Sequence, residues 1–214
     1  MSGVPAMSIT ADSIEQFLVR LASQAPTPGG GSAAAIMGAM GAALVSMVCN
    51  VSFGKKGCEA AEGELRIVLR ESEELRSRLT AMVAADVAAF EALMAAYKLP
   101  KATDEEKTRR AEAIQRSLTL ATEVPLDCAR ASAAVVELAR RAAELGYKGV
   151  ISDAGVGVLS ACAALRSAAL NVYINVPSLH DRVLAERCRS EIDALTAAGA
   201  RDSEAVYATV RARL

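Results

Sequence analysis

From Leu21 to Gly54 the chain carries no charged residue. Ser32 to Phe53 within it is long enough to cross a bilayer. Its composition argues for a different solvent. The segment is mostly Ala and Gly, which insert poorly beside Leu and Ile, and it holds Ser46 and Asn50. No second stretch reads as comparably apolar, so the expectation is a helix buried at the centre of a soluble oligomer. Such a helix must be covered on nearly every side, and Gly38 and Gly41 allow its neighbours to come very close.

The rest of the chain reads as helices built to cover it. Hydrophobic residues make up 52% of the 214, aromatics only 3%, and alanine fills the difference, which favours helix. Ile14, Phe17, Leu18 and Leu21 form one stripe of a short first helix, stopped by Pro26 and Pro28. After the turn Gly29-Gly30-Gly31, Ser32 is placed to cap the apolar helix. A GKKG turn leads to a long helix over about Glu59 to Tyr97, and Thr103 with Glu106 forms a capping box for the fourth. Pro125 is expected to break or kink that helix, giving a separate element from Leu126 to Leu145 with Gly146 as its cap. Ser152-Asp153 opens a second weakly charged helix that ends at Pro177. A charged amphipathic stretch from about Leu179 to Arg213, interrupted near Gly199, completes the chain. No strand alternation, repeat or linker is visible. The expected fold is all-α, one domain over residues 1–214, a helical bundle with two small-residue-rich central helices. Two helices apolar nearly all round need more cover than one such bundle offers, so a homodimer is expected.

Charge and cysteine usage exclude several classes. A net charge of −1 leaves no electrostatic footprint for nucleic acid. Cys49, Cys58, Cys128, Cys162 and Cys188 are odd in number and form no CxxC, and His180 is the single histidine. A disulfide framework and a zinc site are both disfavoured, and no metal is expected. With no Lys or Arg before Arg20, the N-terminus lacks the pattern of a signal peptide. The expectation is a cytoplasmic protein that neither enters membranes nor binds nucleic acid.

Asp86 is the residue that stands out chemically. It is the only charge between Arg78 and Glu91, and it falls at the centre of the helical face formed by Leu79, Met82, Val83, Phe90, Leu93 and Met94. A carboxylate on a core stripe costs several kcal/mol unless paired or protonated, and desolvation raises its pKa. It is a candidate acid/base. The plainer alternative is a structural carboxylate tied to a buried Arg or to a helix N-terminus.

Other candidates each have a plain alternative. Backbone N–H groups of Gly30, Gly31 and Ser32 could hold an anion at a helix start, or the segment is only a tight turn and cap. Lys55 and Lys56 either complement a helix C-terminus or anchor an anionic substrate tail. Ser152 and Asp153 are a capping pair or ligand contacts beside Gly155 and Gly157. Asn171 and Asn175 share one helix face; they and Asn50 read as amides that cross-link helices or meet a ligand.

Taken in order, PTPGGGSAAA, GAMGAALVSMV, GKK, the ADVAAF around Asp86, LPKATDEEKTRR and ISDAGV…ALRSAALNVYIN resemble the formiminotetrahydrofolate cyclodeaminase / methenyltetrahydrofolate cyclohydrolase family over nearly the whole chain. GAMGAALVSMVCN with LRSAALNVY resembles its stand-alone bacterial cyclohydrolase branch. The resemblance implies an all-helical homodimer, a folate site near the subunit interface, and a catalytic aspartate in the ADxxAF segment, which is Asp86. Some relatives carry a further acid just before it, where this chain has Ala84-Ala85. The implied reaction is metal-free hydrolysis of 5,10-methenyltetrahydrofolate to 10-formyltetrahydrofolate, with no prosthetic group. The pterin would lie among the small residues of the Gly31 and Ser152 helices, and Lys55 and Lys56 would meet the glutamate tail. The alternatives are cyclodeamination of formiminotetrahydrofolate, with release of ammonia, and a folate-binding helical protein without turnover.

Overall fold

The computed structural model describes Ile9 and residues 12–214, and among these the secondary structure is entirely helical. Six helices carry it: α1 (Ile14–Leu21), α2 (Gly30–Ser52), α3 (Glu62–Tyr97), α4 (Asp104–Leu145), α5 (Ile151–Asn175) and α6 (Arg182–Arg213). Short 3-10 turns precede α3 and α5 and follow α5.

α2 is the axis of the bundle. It runs antiparallel to α3, as the close pairs Gly31–Asp86, Gly38–Leu79 and Ser46–Ser72 show. It runs antiparallel to α5 as well, with Gly30 beside Asn171 and Gly41 against Gly157 and Ala161. α4 lies parallel to it, and Gly146 at the end of α4 packs on Val48. α6 covers the far side of α5, where Gly199 meets Leu165 and Gly155 meets Val210. A Cβ on Gly41 would stand 2.9 Å from the Gly157 carbonyl oxygen. Glycine there lets two backbones touch, which long side chains would prevent. Two buried hydroxyls close the gap one helix over, where Ser46 and Ser72 Oγ atoms lie 2.8 Å apart. By length and composition α2 could span a membrane, at a mean hydropathy of 1.8. The Glu59–Tyr97 and Lys148–Ser178 segments qualify too, at 1.6 and 1.4, so α2 is less exceptional than its freedom from charge suggests.

The Thr103–Glu106 capping box is present at the start of α4. Three other local expectations need correction, while the expected cap at Gly146 is present. Ser32 is not the cap of α2: Gly29 takes that position, and Ser32 lies inside the first turn with its hydroxyl turned to α3. Ser152 and Asp153 also lie inside their helix, because the preceding 3-10 turn makes Val150 the N-cap. Gly146 caps α4 as expected, in an extended conformation, and a Cβ there would press on the Ala142 carbonyl and Val48. Finally, α6 passes through Gly199 without interruption, since the glycine is there to admit Leu165.

α4 runs unbroken through Pro125. Proline cannot donate to the carbonyl four residues back and would ordinarily break or kink the helix. Here the Ala121 carbonyl accepts a 2.8 Å hydrogen bond from Asn175 Nδ2 on α5 instead. The lost backbone bond is replaced from a neighbouring helix. α1 also differs from its stripe. Phe17 is buried, but Ile14 and Leu18 stand 83% and 55% exposed.

Candidate active site

Asp86 projects from α3 onto the N-terminal end of α2. Its Oδ2 accepts a 2.8 Å hydrogen bond from Ser32 Oγ, and the carboxyl occupies the space that a Cβ on Gly31 would fill. The first backbone N–H groups of a helix have no partner within it and carry partial positive charge. Asp86 therefore sits where a carboxylate is best tolerated, yet in low-polarity surroundings. Burial pushes its pKa above the ordinary carboxylate value, and the Ser32 hydroxyl and backbone only partly offset the rise. Asp86 makes no ion pair among the described residues, and Arg166, the one basic residue inside α5, is exposed. Of the two structural alternatives for this residue, the helix N-terminus is real and the buried arginine is not.

Behind the carboxyl lies a cavity of about 10 Å³ lined by Gly31, Ala35, Met82, Val124, Pro125, Cys128 and Ala168. It has room for about one water, not for a heterocycle. Cys128 is the only titratable group besides Asp86 in that lining. Burial pushes its thiol up to about 11, and the negative charge of Asp86 adds to the rise, so the thiol is neutral near pH 7. No group of three or more His, Cys, Asp or Glu residues is placed to hold a metal among the described residues.

The candidates from sequence fall into two groups at opposite ends of α2. Gly30, Gly31, Ser32, Asp86 and Asn171 are together; the Asn171 amide donates to Ser167 O, and its head lies about 4 Å from where a Gly30 Cβ would be. Asn175 lies one turn further, bonded to Ala121 O. Lys55 and Lys56 follow the other end of α2, and Lys55 Nζ sits 5.6 Å from the Tyr147 ring centre. Ser152 and Asp153 begin α5 at that same end, and Asn50 is exposed there rather than buried. At 1.5 Å per residue the 23-residue α2 separates the groups by roughly 34 Å. Pro125 and Cys128 were not among the sequence candidates. Nothing local in α4 signals that these two side chains face Asp86, although a proline inside a helical pattern is a mark worth following.

Comparison with known proteins places the chain among relatives that match nearly its whole length. The model of the Formiminotransferase-cyclodeaminase family matches residues 13–194. The chain is 56% identical to the Methenyltetrahydrofolate cyclohydrolase of Methylorubrum extorquens, over 95% of this chain and 98% of that protein. It is 32% identical to the Formimidoyltransferase-cyclodeaminase of Rattus norvegicus over 98% of its own length, but it spans only 39% of that longer protein. The crystal structure of formiminotetrahydrofolate cyclodeaminase from Thermotoga maritima superposes with a TM-score of 0.82 at 29% identity, covering 97% of this chain and 98% of that one. A family match over most of the chain, a near full-length relative at 56% identity and a shared fold leave one assignment: the chain belongs to the Formiminotransferase-cyclodeaminase family.

Proposed function

We propose that the protein is a methenyltetrahydrofolate cyclohydrolase, converting 5,10-methenyltetrahydrofolate and water to 10-formyltetrahydrofolate. The observation that carries this reading is the 56% identity, nearly end to end, with a protein of that name. Asp86 is the acid/base. The substrate holds a cation delocalised over N5, the one-carbon unit and N10. The Asp86 carboxylate takes a proton from water as its oxygen bonds to the one-carbon atom, leaving a neutral carbinolamine. As the C–N5 bond breaks, the hydroxyl proton leaves, the carbonyl forms, and N5 receives the proton from Asp86. One proton is released overall and the carboxylate is regenerated. This chemistry asks for a carboxyl with a pKa drawn upward, as burial produces here, and for neither a metal nor a prosthetic group.

The small cavity cannot take the pterin, so the folate lies outside it, over the start of α2, against Gly30, Gly31 and Asn171, while the fully buried Ser32 acts only through Asp86. Asn50, Lys55, Lys56, Ser152 and Asp153 reach such a ligand only from a second copy of the chain. α2 and α5 leave an apolar face open, with Met40, Val156, Leu159, Leu170 and Ile174 all at least 46% exposed. An isologous dimer on this face, its two-fold axis near the middle of α2, sets the lysine end of one copy against the Asp86 end of the other. Such a dimer, acting in the cytoplasm, completes the proposed site.

The second reading, formiminotetrahydrofolate cyclodeaminase, draws on the Thermotoga maritima neighbour; Asp86 would protonate the departing nitrogen. The two are separated by assaying the purified protein on each substrate. Loss of methenyl absorbance above the spontaneous rate is expected to have the higher kcat/KM. A higher kcat/KM for ammonia release from the formimino substrate would reverse the order, and folate binding without either turnover would leave a binding protein.

A further inference from the structure

Asn175 is engaged within the fold, on the α4 backbone. Its amide nitrogen donates to Ala121 O at 2.8 Å. That carbonyl is four residues before Pro125, the position whose partner in a regular helix would be the N–H that proline lacks. Pro125 is itself buried and, with Val124 and Cys128, forms the α4 side of the cavity against Asp86. The hydrogen bond, the proline and the wall are consecutive parts of one short segment.

We infer that Asn175 is a positioning residue: its side-chain amide stands in for the missing N–H of Pro125 and so holds the Val124–Cys128 wall against the Asp86 carboxyl. This rests on the reading of Asp86 as the acid/base. Without the donor, the Ala121 carbonyl is left to find water, and α4 is free to bend at the proline. The wall then loosens, water reaches the carboxyl, and part of the desolvation that raises its pKa is lost. No charged group faces Asp86 across the cavity from α2, α4 or α5; the neutral Cys128 thiol is the only titratable one. Desolvation is therefore what the wall controls.

The test is a double-substitution cycle with Pro125→Ala, which restores the backbone donor. It is run on whichever of the two folate substrates turns over faster, so that a wrong substrate order does not affect it. Asn175→Ala alone is expected to lower kcat/KM about tenfold, the scale of a small misplacement at a reacting centre. It should also move the acid limb of the kcat/KM profile to lower pH, a change that mere loss of stability would not produce. In the Pro125→Ala background the same substitution should change neither rate nor profile, because the carbonyl already has its N–H. Thermal unfolding of the four proteins reads the hydrogen bond without reference to activity: Asn175→Ala lowers Tm in the proline background and not in the alanine one. Failure of Asn175→Ala to fold while the double variant folds is the same result in stronger form. Equal effects of Asn175→Ala in both backgrounds, or a lowered rate with an unmoved pH profile, would overturn the inference.

Discussion

Asp86 is held in a place that opposes its charge, and that conflict is measurable. Its pKa is raised in the folded protein, so folding favours the protonated carboxyl. The ionised form is a liability above the raised pKa, and the liability vanishes below the unfolded value, where the group is protonated in both states. Asp86→Asn should therefore unfold at a temperature higher than the unsubstituted protein near pH 7, by on the order of 3 °C, with the gap closing as the pH falls. The same substitution should lower turnover of the methenyl substrate by at least about 100-fold; calorimetry and the absorbance assay on one preparation check both. Ser32 acts in the opposite sense, because its hydroxyl stabilises the carboxylate. Ser32→Ala should raise the pKa of Asp86 further and shift the acid limb of kcat/KM to higher pH. An unshifted limb would mean that the Ser32 bond does not govern the titration.

At the scale of elements, the close helix contacts depend on a few missing side chains, and not all of them are equally strict. A Cβ at Gly41 would meet the backbone of Gly157 and Ala161, which cannot yield without parting α2 from α5. At Gly199 it would meet the far end of the Leu165 side chain, which has more freedom to shift than a backbone. Gly41→Ala is expected to destabilise by about 1–3 kcal/mol and Gly199→Ala by clearly less, read from urea midpoints at constant m-value. The same contrast explains what could be read from the chain in advance. Helices with their own caps and stripes were legible: the Thr103–Glu106 box and the long α3 follow local rules that the structure keeps. Asp86 was legible because a charge interrupts a periodic face. What was not legible depends on residues far apart in sequence. Pro125 should break a helix by local rules, and only an amide 50 positions later, Asn175 on α5, lets α4 continue. Ser32 looks like a cap until the carboxyl it serves arrives from α3.

At the scale of the whole molecule, the proposed site is divided. Asp86 and Ser32 sit at one end of α2, and Lys55 and Lys56 follow the other, roughly 34 Å away in the same copy. If the two-fold dimer supplies the lysines across the interface, each site takes its acid/base from one chain and its cations from the other. Asp86→Asn dimers then lack the acid/base at both sites, and dimers carrying Lys55→Glu with Lys56→Glu lack the cations at both. In a heterodimer of the two variants, one site combines both defects and the other has neither. Mixing the two inactive proteins under conditions that exchange subunits should therefore restore activity, approaching a quarter of the unsubstituted level for random pairing of equal amounts. If the lysines served Asp86 within their own chain, every site in the mixture would carry one defect or the other, and no activity would return. Sedimentation should show the mixture as a dimer throughout, and Leu159→Arg on the open α5 face should convert it to monomer. A protein that remains active as a monomer would remove the reason for placing the lysines at the site at all.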